Sequence, residues 1–77
     1  MKINIEHTDT FAGESNFSWI NRISFEFPEG ISNRTIIRKV KEWAGWTGIR
    51  CDKEIYGDFI ILRPRKICEI IFIDYEW

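Results

Sequence analysis

No run of apolar residues in this 77-residue chain is longer than four. The stretch Ile70–Ile73 falls far short of the roughly 20 residues that a membrane-crossing helix needs, so no membrane partner is expected. The start, Met1-Lys2-Ile3-Asn4-Ile5-Glu6, lacks the apolar segment of a secretory signal. The cytoplasm is therefore the expected compartment. Histidine occurs once, as His7, and cysteine twice, as Cys51 and Cys68. Two thiols and one imidazole do not make a tetrahedral zinc site, and no other metal-ligand spacing is present. The cysteines sit among apolar residues and are expected to be reduced, buried thiols. Glycines are scattered singly rather than gathered into a phosphate-cradling loop. Excess charge of one sign is also missing. Eleven Lys and Arg face twelve Asp and Glu, for a net charge of −1, so no global field draws the chain onto nucleic acid or an anionic membrane.

Aromatic residues are plentiful: four Trp, six Phe and two Tyr. A domain this small buries only about 60–65% of the surface its unfolded chain exposes. Large rings, at roughly 150–250 Å² each, thicken a thin core. The length is room for one domain, residues 1–77.

Ile3 and Ile5 alternate with polar neighbours and predict a short first strand. The polar stretch Thr8–Asn16 reads as a loop, longer than an ordinary hairpin turn. Phe17–Phe27 follows with period two, interrupted at Asn21, which marks either a bulge or the less buried end of the strand. Ser32 is a fit N-cap, Ile36, Ile37, Val40, Trp43 and Ala44 form one stripe, and Gly45 is a natural stop. These signals predict a helix over 33–44. Ile49–Tyr56, Phe59–Leu62 and Ile67–Tyr75 predict three further strands joined by short turns. The last is apolar on both faces and is expected to be central or covered. The fold class is thus α+β: a two-layer sandwich, one helix on a mainly antiparallel sheet of about five strands, in the order β-β-α-β-β-β.

Three places could carry function. Asp9, Phe11 and Glu14 put an aromatic between carboxylates in the long polar segment. Phe11 either anchors in a partner's pocket or folds back onto the sheet, and both carboxylates stay near the surface in either case. Arg34, Arg38 and Lys41 make a basic helix stripe that is either a solvated face or a phosphate-contacting one. Trp77 is a candidate interface anchor, and Trp46 either joins it or only caps the core. His7 has carboxylates and hydroxyls nearby but no nucleophile–base spacing, so neither a catalytic residue, a metal nor a cofactor is expected.

Ile5-Glu6-His7-Thr8-Asp9-Thr10-Phe11, Gly13-Glu14, Asn16-Phe17-Ser18-Trp19, Trp43–Cys51 and Tyr56-Gly57-Asp58 resemble a group of short phage and prophage accessory proteins. That resemblance implies a module that binds and inhibits a host protein or complex, such as a bacterial defence assembly of the CRISPR type. It transfers no functional residues. The alternative is a small nucleic-acid-binding regulator that uses the basic helix face. Strand order and oligomeric state are left open at this stage.

Overall fold

The Ser32 hydroxyl accepts the backbone N–H of Thr35, and helix α1 follows over Asn33–Ala44 in the computed structural model, which describes residues 1–12 and 14–76. Gly45, in the left-handed region at φ 76°, ends it, with its own N–H donated to the Glu42 carbonyl. The helix bounds match the expectation from the capping residues. Ile36, Ile37 and Val40 form its buried stripe.

Five strands complete the chain: β1 (Lys2–Phe11), β2 (Glu14–Glu26), β3 (Cys51–Tyr56), β4 (Phe59–Pro64) and β5 (Glu69–Glu76). They form one sheet in the order β2-β1-β5-β4-β3, antiparallel at every step. With one helix on that sheet, the α+β class holds. β5 lies at the centre, as its two apolar faces predict. β2 and β3 run in the same direction from opposite edges, so the chain crosses the whole sheet between them, and α1 lies on that path.

Period-two alternation decides what each strand buries. Ile3 and Ile5 of β1, Ile60 and Leu62 of β4, and Ile71, Ile73 and Tyr75 of β5 share a cluster with the helix stripe and Trp46. The Tyr75 hydroxyl donates to Asn33 Oδ1, which ties the last strand to the helix start. Burial pushes the Tyr75 phenol up from its ordinary pKa.

Several details differ from the sequence reading. Thr8–Asn16 is not a loop. β1 continues to Phe11, Phe11 pairs with Glu14, and Ala12 and Gly13 are all that join the strands, with Gly13 outside the described residues. The bulge falls at Asp9, between Thr8 and Thr10, and not at Asn21, which pairs regularly with His7. Cys51 and Cys68 are free thiols, but Cys51 is only partly buried and Cys68 is exposed. The reason is position: Cys68 occupies the bend before β5, and β5 begins at Glu69 rather than Ile67. Trp46 is buried, so of its two readings the core one holds and the interface one falls. Trp77 lies outside the described residues. Among the described residues no helix is long and apolar enough to cross a membrane.

Candidate functional site

Asp9 organises the far end of the β1–β2 hairpin. Thr8 pairs with Ile20 and Thr10 with Ser15, so Asp9 alone lies opposite Asn16, Phe17, Ser18 and Trp19. Its Oδ1 accepts the Ser18 backbone N–H at 2.9 Å, and its Oδ2 accepts the Ser18 hydroxyl at 2.5 Å and the Asn16 amide at 3.1 Å. The Thr8 hydroxyl donates to the Trp19 carbonyl at 2.7 Å. Polar residues that read as loop are thus consumed within the hairpin. The Ser18 hydroxyl above all, with the Asn16 amide and the Ser18 N–H, holds the Asp9 carboxyl well below the usual carboxylate range.

A pH dependence follows from that direction. The unfolded chain has an ordinary carboxyl at about 4. The folded value is lower, so the unfolded state takes up the proton first as pH falls. Asp9 therefore contributes its full stabilisation above about pH 4 and loses it progressively below. Urea unfolding of the protein and of Asp9→Asn should show the largest stability gap near neutrality and a shrinking gap toward pH 2. A gap that stays constant across this range would remove Asp9 as the clamp.

The clamp has a geometric product. Phe17 sits at φ 56°, a left-handed backbone that a non-glycine residue adopts at a cost of about 1–3 kcal/mol. Its ring lines a groove of about 740 Å³ on the sheet face away from the helix. Phe59 and Phe72 stack across β4 and β5 within this groove, with ring centres 6.1 Å apart and planes 21° apart. Glu6, Arg22 and Asp74 supply its charges. Arg22 donates to Glu6 at 3.1 Å, whereas among the described residues the Asp74 side chain has no ion pair or hydrogen bond. The groove thus keeps one spare negative charge.

The same hairpin shows a run of exposed apolar side chains. Phe11 is 75% exposed, Phe17 45%, Trp19 39% and Ile20 38%. Phe11 therefore stands clear of the sheet rather than folding back onto it, with exposed Glu14 directly across the strand pair. The structure keeps Phe11 and Glu14 together at the hairpin end. Asp9 is different: its carboxylate stays at the surface, as expected, but its oxygens face the Asn16–Ser18 bulge and accept hydrogen bonds there. Reversing the charge of Asp9 would remove these bonds and disturb the hairpin itself.

Arg34, Arg38 and Lys41 do lie together, along a second and smaller groove with Thr35, Ile37, Glu42, Thr47 and Gly48. Among the described residues none of the three forms an ion pair, while neighbouring Lys39 approaches Glu42 at 3.9 Å. This flank is on the helix layer, opposite the phenylalanine groove.

His7 sits inside the protein on the same row as Ile3 and Ile5. Its Nε2 is 2.6 Å from Glu69 Oε1, which also accepts the Trp46 indole N–H at 3.1 Å. The indoles of Trp19, Trp43 and Trp46 surround the imidazole at ring-centre distances of 4.9, 5.8 and 5.3 Å, each tilted steeply to it. No hydroxyl or thiol is hydrogen-bonded to the ring among the described residues. The arrangement joins β1, β2, β5 and the segment after α1 through one polar cluster in an otherwise apolar layer. Sequence reasoning missed Glu69 and the indole box. Period-two counting from Ile3 and Ile5 would have put His7 on the buried face.

Comparison with family models, curated proteins and solved structures finds no match to the chain.

Proposed function

We propose that the chain is a non-catalytic, cofactor-free protein-binding domain that docks through the β1–β2 hairpin and the open sheet face beside it. The observation that carries this reading is Phe17. Its backbone strain is maintained by a dedicated polar clamp of three hydrogen bonds among Asp9, Asn16 and Ser18, and the ring it presents is left substantially in water. Strain that the surroundings hold in place, with an apolar group on display, suits recognition better than packing. Phe11, Trp19 and Ile20 extend the display, and aromatic anchors of this kind dominate binding energy at interfaces. Glu14 and Asp74 suit a partner surface that carries Arg or Lys. The likeness of the sequence to short phage and prophage proteins supports a bacterial host protein as the partner, a defence complex of the CRISPR type included. On that reading the chain acts in the host cytoplasm as an inhibitor or modulator.

A second reading rests on the free cations Arg34, Arg38 and Lys41, which suit contact with nucleic-acid phosphates. One experiment separates the two. A photo-reactive phenylalanine analogue is introduced at position 11 in one variant and at position 38 in another, and each is irradiated in the bacterial host. Discrete protein adducts from position 11, and none from position 38, are the expected result. Adducts only from position 38, or nucleic acid cross-linked there, would replace the hairpin with the helix flank.

A further inference from the structure

The outer edge of the sheet is open along β2. This strand is 13 residues long, holds no proline or lysine, and is exposed at Ile20, Arg22, Ser24 and Glu26. Proline, lysine and short length are among the devices that keep an edge from pairing with another chain, and the bulge, at 16–19, lies outside the regular segment 20–26. Backbone parity shows which groups are on offer. Met1 and Phe27 exchange both backbone hydrogen bonds, at 3.0 and 2.9 Å, and the regular register continues through Ile3↔Phe25, Ile5↔Ile23 and His7↔Asn21. In an antiparallel pair, hydrogen-bonded positions alternate with unbonded ones. Ile20, Arg22, Ser24 and Glu26 therefore turn their N–H and C=O groups outward, and among the described residues none of these backbone groups has a hydrogen-bond partner.

We propose that this edge pairs with β2 of a second copy, antiparallel and centred on Ser24, to make one continuous ten-stranded sheet across a two-fold axis. Self-pairing of a strand is isologous, so every contact occurs twice. The register is chosen by charge. Centring on Arg22 would oppose Arg22 to itself, and centring on Ile23 would set Arg22 against Ser24 and Glu26 against Ile20. Centring on Ser24 sets Arg22 against Glu26 of the other copy on both sides of the axis. Cross-strand opposite charges stabilise a strand pair, and like charges destabilise it. The same register brings Ile23 against Phe25 of the other copy on the helix-facing side. Both are only partly buried at this edge, and pairing would finish covering them. Pro28 falls opposite Ile20 and, having no N–H, ends the ladder there. The bulged end of the hairpin, with Phe11, Phe17 and Trp19, projects beyond the paired segment. Each copy thus keeps its docking surface, and the dimer holds two.

Sedimentation velocity over about a hundredfold range of protein concentration tests this, because dimer population depends on protomer concentration. The unaltered protein is expected to move from monomer to dimer. Arg22→Glu and Glu26→Arg should each weaken dimerisation at least tenfold, with circular dichroism spectra unchanged. Combining them restores opposite charges across the axis and should recover the dimer to within a few-fold. Ser24→Pro, which deletes an outward N–H, should give a folded monomer. A protein that stays monomeric throughout would overturn the proposal, as would a dimer that either charge reversal leaves intact or that the double variant does not recover.

Discussion

Replacing Trp46 with alanine will destabilise the protein by about 3–5 kcal/mol, as removal of a buried large aromatic does. Trp46 is 2% exposed and packs in the same cluster as Ile36, Val40, Leu62 and Ile73. Its loss also strips Glu69 of the indole donor at 3.1 Å and His7 of one of its three ring neighbours. A polar group left short of a partner in a half-buried site adds to the cavity cost. In a domain of this size each kcal/mol lowers the melting midpoint by about 4–8 °C, so a fall of more than about 10 °C is expected. Trp46→Phe separates the two contributions in part: it keeps most of the ring volume, loses the N–H with the five-membered ring, and should cost less than Trp46→Ala. Urea unfolding of both variants gives the comparison. A Trp46→Ala protein within 1 kcal/mol of the original would mean that the ring is not part of the core.

Much of this was legible because the signals are local. The helix declares itself through Ser32, Gly45 and a 3.6-residue stripe, all within one short segment. Its basic flank follows from the same period, so Arg34, Arg38 and Lys41 come together as the sequence implied. Strands β3, β4 and β5 follow from alternation and short turns. Strand order is another matter. β1 and β5 are neighbours although they stand at opposite ends of the chain, and nothing in either segment names the other. The pair His7–Glu69 is hidden for the same reason, being 62 residues apart. The hairpin misled in a more instructive way. Asp, Asn and Ser predict turns because their side chains bond to nearby backbone, and they do so here. Asp9, Asn16 and Ser18 spend that capacity on a bulge inside a strand pair, so the composition of a loop appears without a loop. The left-handed backbone of Phe17 had no signal at all, since aromatic residues rarely adopt it.

Phe17 is where the account is most exposed to test. A side chain held in a left-handed backbone solely for packing would be mourned by the fold when removed. One held there for display would not. Glycine accepts φ 56° without the steric penalty that a β-carbon incurs, which offsets the small packing contribution of a ring that is 45% exposed. Phe17→Gly is therefore expected to leave stability within about 1 kcal/mol of the original, or to raise it slightly. Partner binding should fall at least tenfold, about 1.4 kcal/mol, because aromatic anchors near the middle of an interface carry losses of that size or larger. The partner for this measurement is the protein captured by photo-cross-linking at position 11. Titration calorimetry of that partner against the original chain and against Phe17→Gly, with urea unfolding of both, is the most direct measurement of the central claim. Weakened binding at unchanged stability is the predicted result; full-strength binding by a stable Phe17→Gly protein would contradict it.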